Sequence, residues 1–274
     1  MKKFFQLTAA VAMAFTLAGC SDTQTAQQIF DNTMERQKEL TSASATMDVS
    51  QTMTVSMDGE TGEIVTLTKG TVDAVFDPIA MAMDVNVSTD FMGEPMELPV
   101  NMYINETDGM YLEDTTSNTW MKLPSEQFDT IMNNTDVQID QTAQLEQLQQ
   151  FVEDFTMEET DASYVLTLNL DDEKFNSLVK EQAAGALGDS GTEADNAALE
   201  SIQVSDGLYK LTIDKETYDL TNVIMDFFMT MEVEGETMEM DTNSNITYTE
   251  FNHLQSIDIP QNIIDSAVDM TDVQ

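Results

Sequence analysis

The sequence predicts an α+β fold in which an antiparallel sheet dominates and helices pack on one of its faces. Apolar residues recur at every second position from Val223 to Val233, and Met47, Val49, Met53, Val55 and Met57 alternate with polar residues, which is typical of strands with one buried face. Residues 26–40 and 171–187 carry apolar residues at intervals of three and four instead, the period of an amphipathic helix. An apolar strand face must pack on something, and the apolar stripes of these helices are suited to it.

Turn signals divide the remaining strand segments. Gly-Glu dipeptides at Gly59, Gly93 and Gly235 each lie between two alternating segments, as expected of hairpins. Gly70 interrupts the alternation of its own segment and predicts a β-bulge that changes the apolar face from that of Val65 and Leu67 to that of Val72, Ala74 and Phe76. The strand segments predicted in chain order are 47–57, 64–76, 79–87, 96–104, 110–113, 120–123, 164–170, 209–213, 223–233 and 238–248.

Two more helices and one loop are predicted in the middle of the chain. The apolar spacing indicates a short helix at residues 128–132 and a longer one at residues 145–155. Residues 188–196 are rich in Gly, Asp and Ser, and this composition predicts a mobile loop.

The first twenty residues have the layout of a secretory signal. Lys2 and Lys3 precede an uncharged run from Phe4 to Leu17, which is too short to span a bilayer comfortably. The run ends in a short motif with a cysteine, and that cysteine is the single one in the chain. The motif consists of Leu17, Ala18, Gly19 and Cys20.

This motif resembles the bacterial lipobox, which a diacylglyceryl transferase and a lipoprotein signal peptidase recognise. The resemblance implies a diacylglyceryl group on the Cys20 thiol and cleavage just before it. An ordinary signal peptide that ends at a chance cysteine is the alternative. The predicted organisation is a signal peptide at residues 1–19, the lipidated Cys20 with a tether at residues 20–25, and one domain at residues 26–274, either single or built from two related halves.

The composition limits the partners of the protein. A net charge of −41 repels nucleic acid and anionic head groups, so membrane attachment has to come from the lipid on Cys20. A single cysteine excludes a disulfide framework and a cysteine-based metal site. The expected location is therefore the extracytoplasmic side of a cell membrane, and the sequence does not say which membrane.

Several segments of the mature chain resemble known lipoproteins. They are the helix from Ala26 to Leu40, the strand entry at Thr41 to Ser44, the segment Leu208 to Tyr218 and the ending Ile257 to Pro260. Together they are similar to an uncharacterised Gram-positive lipoprotein family and, more distantly, to LolA-like and LppX/LprG-like lipoproteins. The resemblance implies a half-barrel, a strongly curved antiparallel sheet wrapped around helices, with space for acyl chains between them. No segment stands out as the apolar mouth that such carriers have.

The sequence gives little support to catalysis or metal binding. His253 is the one histidine, and no nucleophile motif such as Gly-x-Ser-x-Gly accompanies it. The pairs Met229/Met231 and Met238/Met240 could bind copper through thioethers, but a spacing of two is also what a strand with one buried face requires. No EF-hand loop is present in the sequence. We therefore expect no enzyme, no metal and no cofactor.

The apolar strand faces predict a cavity lined by methionine. The chain contains 21 methionines, and their flexible thioethers suit a pocket that deforms around its ligand. A filled core would give the same pattern and stays open as the alternative. The predicted cavity residues are Met47, Val49, Met53, Met81, Met83, Val85, Leu98, Met102, Ile104, Met225, Phe227, Met229 and Met231.

Two functions follow from these observations. The first is a membrane-anchored lipoprotein that binds or carries an acyl chain, a glycolipid or a similar amphiphile in this cavity. The second is a lipid-anchored interaction or sensor domain of the cell envelope that has a filled core and no ligand. The sequence identifies no protein partner for either function.

Overall fold

The computed structural model describes residues 24–57, 60–91, 94–124, 128, 141–169, 173, 175–177, 179–180, 193–233 and 235–270. The predicted signal peptide, lipobox and Cys20 lie outside these residues. So do residues 129–132 and 181–187 of two predicted helices.

Long strands make up most of the described chain. The strands are β1 (Ser42–Met57), β2 (Glu60–Phe76), β3 (Ile79–Phe91), β4 (Glu94–Asn105), β5 (Gly109–Asp114), β6 (Thr119–Lys122), β7 (Thr156–Glu159), β8 (Ser163–Asn169), β9 (Gln203–Asp214), β10 (Leu220–Val233), β11 (Glu236–Phe251) and β12 (Val268–Asp269). The helices are α1 (Ala26–Lys38), α2 (Gln141–Leu148), a 3₁₀ helix (Gln149–Asp154), α3 (Glu193–Ser201) and α4 (Gln261–Ser266), and residues 173, 175–177 and 179–180 are also helical.

All of these strands join one curved, unclosed sheet. Their order is β12-β6-β5-β4-β3-β2-β1-β11-β10-β9-β8-β7, and every pair is antiparallel except β12 with β6. Hairpins connect β1 to β2, β3 to β4 and β10 to β11. Because β1, β3 and β10 run in the same direction, these three hairpins lie at the same end of the sheet, which we call the hairpin end.

The pairing of β1 with β11 joins distant parts of the chain. At the opposite end of the sheet, the Asn252 side chain secures it, since its Oδ1 accepts from the Thr41 backbone N–H at 2.7 Å. The Asn252 N–H donates to the Ser42 carbonyl at 2.8 Å, and the Leu254 N–H donates to the Ser42 hydroxyl at 3.0 Å. Asn252 has φ 54°, in the left-handed region that Asn tolerates better than most residues. The chain therefore leaves β11 beside the entry to β1.

The strand register assigns each side chain to one of two faces. Residues directly opposite each other share a face, and the faces alternate along each strand. From β4 to β10, one set of positions is almost entirely apolar, and we call it the apolar face. The other set carries the charged residues, including the ion pair between Lys69 Nζ and Asp48 Oδ2 at 2.8 Å, and we call it the polar face.

The main core lies where helices cover the apolar face at β8 to β10. Ile29 and Phe30 of α1 are fully buried there against Leu166, Leu211 and Ile213. The other buried members of this cluster are Met34, Leu145, Leu148, Phe151, Val152, Phe155, Leu168, Leu220 and Val223. Burying a side chain of this size contributes about 1.5–3 kcal/mol, so this cluster is the principal source of stability in the described chain.

Local contacts fix the position of α1 over this core. The helix begins with a capping box, in which the Gln28 N–H donates to Thr25 Oγ1 at 3.2 Å and the Thr25 N–H donates to Gln28 Oε1 at 2.9 Å. Near its other end, Arg36 Nε donates to Asp219 Oδ1 at 2.6 Å, just before β10 begins. The helix is thus attached to the sheet by charge as well as by packing.

A smaller cluster lies on the polar face at β4 to β6. Tyr111 is 1% exposed and packs with Ile259 and Ile263 of the C-terminal segment. Tyr103 and Trp120 stack beside it with ring centroids 5.6 Å apart. The C-terminal segment around Pro260 thus covers the polar face near the β6 edge of the sheet, far from the main core in the strand order.

The predominance of antiparallel sheet and the helix after residue 25 agree with the sequence prediction. Of the described helices, α4 contacts β6 and the others lie at β8 to β10, so the predicted wrapping of the sheet around helices is not confirmed. The predicted bulge at Gly70 is wrong, because β2 keeps an unbroken register with β1 and β3 through that residue. Leu67, which suggested the change of face, lies on the polar face and is 37% exposed.

Two other expectations also need correction. The predicted loop at 188–196 overlaps α3, which begins at Glu193, and residues 188–192 lie outside the described residues. The predicted helix at 145–155 is two elements, α2 and the 3₁₀ helix. The sequence analysis missed β7 and β12, which are four and two residues long and too short for a periodic pattern.

Gly70 provides a test of the register. A Cβ there would clash with the Asp84 carbonyl and lie 2.5 Å from Val85 Cα on β3, so Gly70→Ala forces two paired strands apart. We expect it to lower the free energy of unfolding by about 2 kcal/mol or more in urea titrations. The matched control is Gly62→Ala on the same strand, where a Cβ meets nothing within 4 Å. Equal effects of the two substitutions would contradict the register.

Candidate functional site

The register places all thirteen predicted cavity residues on the apolar face. Met83 lies opposite Met102 and Met81 opposite Ile104, while Val85 and Leu98 occupy the same face in the rows beside them. On the other half of the sheet, Met53, Met240 and Met229 lie side by side across β1, β11 and β10. The remaining predicted residues fall in the same alternation, namely Met47, Val49, Met225, Phe227 and Met231. These residues share one face because the side-chain period of a strand is two.

The described helices cover part of this face. In the described residues, β1 to β4 make their extensive contacts with neighbouring strands alone, whereas the main core cluster with α1 and the 3₁₀ helix lies at β8 to β10. Met96 and Leu98 on β4 are 63% and 48% exposed. Most apolar-face residues of β1 and β2 are half-buried. Contiguous exposed apolar surface is a feature of interaction sites in soluble proteins.

No charged side chain lies at the central positions of the apolar face. From Met47 to Gln51 on β1, and at the aligned positions of β2, β3, β4, β10 and β11, every residue on this face is apolar or neutral. The same holds for Met53 and Val55 and for the positions aligned with them on β2, β10 and β11. At the hairpin end, the register gives positions on this face to the first residues of β2, β4 and β11, which are glutamates, and Glu94 is aligned with Met53. The charge of the protein is thus kept off one face of its sheet.

Neutral polar residues nevertheless form a continuous row across this face. The row runs through Thr89 on β3, Thr66 on β2, Gln51 on β1 and Thr242 on β11, each directly opposite the next. We call these four residues the polar row. Its members are half-buried except Thr242, which is 6% exposed. Gln51 Nε2 lies 3.4 Å from Thr242 Oγ1 and 2.9 Å from the Met240 sulfur.

The sequence analysis did not identify the polar row. Each threonine, taken alone, is an ordinary strand residue, since Thr favours strands. Gln51 was the one visible signal, because it interrupts the apolar alternation between Val49 and Met53. Four isolated interruptions become one feature only when the register aligns them.

Two tyrosines mark the border between the polar row and the helix-covered core. Tyr209 on β9 and Tyr248 on β11 both pack against the main core cluster. Burial raises the pKa of Tyr209 to about 12. Burial, and secondarily the neighbouring Tyr209, raises the pKa of Tyr248 above its usual value. These shifts indicate a medium of low polarity beside the apolar face.

His253 does not form a catalytic arrangement. Its Nε2 lies 3.1 Å from Glu250 Oε2 and 3.4 Å from the Ser44 hydroxyl, so both partners face the same nitrogen. The Ser44 hydroxyl donates to Asp73 instead. A nucleophile and an orienting carboxylate would have to use different ring nitrogens. Among the described residues, no group of three or more His, Cys, Asp or Glu side chains could hold a metal ion.

The raised tyrosine pKa values make stability depend on pH. The Tyr209 phenol stays protonated in the folded state while the unfolded chain, with a pKa of 10.0, already ionises. Ionisation therefore favours the unfolded state, and stability falls as the pH rises from about 10 towards about 12. We expect Tyr209→Phe to reduce this fall by about 2 kcal/mol in urea titrations at successive pH values. An identical pH profile in the variant would contradict the burial of this phenol.

The chain is distantly similar to several solved structures. A structure of lipovitellin concerned with lipid–protein interactions shares 6% identity and a TM-score of 0.35, over 80% of this chain and 26% of that chain. The chain thus spans about a quarter of lipovitellin. A putative outer membrane lipoprotein-sorting protein domain from Vibrio parahaemolyticus gives 10% identity and a TM-score of 0.21, over 88% and 99% of the two chains. A β-barrel-like DUF1849 protein from Brucella abortus gives 11% and 0.20, over 77% and 100%.

Likenesses of this size bear on neither ligand nor activity. No curated protein matches the sequence. In the described residues, no helix is both long enough and apolar enough to cross a bilayer. The profile of a family of unknown function (DUF6612) matches residues 25–268, from the N-cap of α1 to the start of β12. The chain belongs to this family.

Proposed function

We propose that the protein is a membrane-anchored, extracytoplasmic lipoprotein that binds a hydrophobic or amphiphilic ligand on the apolar face, without catalysing a reaction. The observation that carries this proposal is the combination of a long apolar face, free of charge at its central positions, with a helix-covered core that the described residues place at β8 to β10. A ligand would cover the rest of the face.

The geometry suits an acyl chain in particular. Apolar burial contributes about 25 cal/mol per Å², and the half-buried Met53, Met83 and Met102 offer apolar area that no described helix covers. Their thioethers are flexible and polarizable, so they adjust to chains of different shape. In this proposal the sheet is a half-barrel whose helices fill one part, while the ligand occupies the part lined by the thirteen predicted residues.

Attachment to the membrane is assigned to Cys20. The net charge of −41 opposes adsorption to anionic lipid, and the lipobox supplies an anchor that does not depend on charge. The protein would then hold its ligand close to the bilayer from which the ligand is extracted.

A charge placed on the apolar face tests the ligand site. We expect Met53→Glu to weaken binding of the neutral fluorescent probe N-phenylnaphthylamine at least about tenfold, because the carboxylate must be desolvated or the ligand displaced. The assay uses the mature chain from Ser21, which keeps the capping box of α1 and every element after it, with thermal unfolding as a check on folding.

The matched control is Thr52→Glu, which adds the same charge at the next position, on the polar face. It should leave the affinity for the probe unchanged. Failure of the unaltered protein to bind the probe saturably would favour an interaction domain with a filled core. Equal losses in the two variants would contradict the assignment of the site to this face.

The anchor has its own test. We expect Cys20→Ser to abolish incorporation of labelled palmitate when the full chain is expressed in a bacterial host, whereas Ser21→Ala retains it. The measurement is the label on the immunoprecipitated protein, with the mass of its N-terminal peptide. Label that persists in Cys20→Ser would show that the lipid is attached elsewhere.

A further inference from the structure

The polar row is an unusual feature for the middle of an apolar sheet face. The polar row itself places three hydroxyls and an amide in one line, at Thr89, Thr66, Gln51 and Thr242. The row next to it towards the hairpin end contains Ile64, Met53, Met240 and Met229. The row next to it towards the opposite end adds the hydroxyls of Thr68 and Ser244 beside Val87 and Val49, and the row beyond that contains Val85, Gly70, Met47 and Ile246. Apolar surface on both sides and polar atoms in the middle match the division of an amphiphile into chain and head group.

The side chains of the polar row are uncharged and can both donate and accept hydrogen bonds. A threonine hydroxyl both donates and accepts hydrogen bonds, and a glutamine amide offers two donors and an acceptor. Such groups satisfy hydroxyl and ester oxygens, which likewise carry no charge. The row contains no cation to pair with a carboxylate or a phosphate.

The electrostatics of the whole protein disfavour an anionic head group. Burying an unpaired charge costs far more than burying a hydrogen-bonded neutral group, and no opposite charge lies at the central positions of the face. The net charge of −41 adds long-range repulsion of anions. A cationic head group would be attracted over distance, but none of the four residues of the polar row is a carboxylate that could pair with it.

We propose that the ligand has an uncharged head group with hydroxyl or ester oxygens, as a monoacylglycerol or diacylglycerol does, and that the polar row binds this head group. The methionines beside the row then hold the acyl chain. This inference rests on the proposed function, since it specifies the ligand class of the same site. It also predicts that Gln51 has the largest influence on which head-group charge the site accepts, because Gln51 lies at the centre of the row between Thr66 and Thr242.

The test compares two photoactivatable probes with the same acyl chain, one a monoacylglycerol and the other the free fatty acid in its ionised form. Isolated membranes that carry the full chain are labelled with each probe, and the label on the protein is quantified and located by peptide mapping. The variant is Gln51→Lys, which places a cation in the row. Thr52→Lys adds the same charge on the polar face, so that comparing the two variants cancels differences in how the probes partition.

We expect the monoacylglycerol probe to label the unaltered protein and Thr52→Lys in preference to the fatty acid, on peptides of β1, β2 and β11. Gln51→Lys should shift the ratio of the two labels at least about tenfold towards the fatty acid. Preference of the unaltered protein for the fatty acid, or equal ratios in the two lysine variants, would overturn the neutral head group and leave the ligand site intact. If neither probe labels the unaltered protein more than it labels Met53→Glu, the proposed function itself is overturned.

Discussion

The pairing of β1 with β11 is the contact on which the rest of the sheet depends. The Thr249 hydroxyl, on β11, donates to the Ser44 carbonyl 205 positions earlier in the chain. Without this pairing, the hairpin array of β2 to β6 and the helix-covered array of β7 to β10 would be separate sheets. Its register also places Gln51 opposite Thr242 and Met53 opposite Met240, so it aligns the two halves of the apolar face. A shift of one residue would turn every side chain of β1 to the other face.

The sequence predicts which side chains of one strand share a face better than it predicts which side chains of different strands lie next to each other. Alternation from Met47 to Met57 is local information, and it placed thirteen residues correctly on one face. The polar row depends on the register between strands far apart in sequence, which local alternation does not contain. The wrong prediction at Gly70 has the same cause. Val65 and Leu67 are apolar residues on the polar face, so the local pattern suggested a change of face that the strand pairing excludes.

The two faces of the sheet balance opposite requirements. A protein with an uncovered apolar face is prone to associate, and an exposed strand surface favours such association. Here the polar face carries the acidic residues, and the net charge of −41 opposes contact between copies. The same charge leaves the apolar face accessible to a neutral ligand. Acidity, which excluded nucleic acid at the level of composition, thereby acquires a structural role.

The placement of methionine separates a rigid from an adaptable part of the apolar face on β1, β10 and β11. Towards α1, the face meets a core in which Val223 on β10 is buried with Ile29 and Phe30. Towards the hairpin end methionines predominate on the face, with Val55 among them, and they are half-buried: Met53, Met229, Met231, Met238 and Met240. Branched residues specify one packing arrangement, whereas methionine tolerates several. A fold that required only stability would have extended the first kind of surface to the end of the strands, so the change to methionine points to a surface shaped by its ligand.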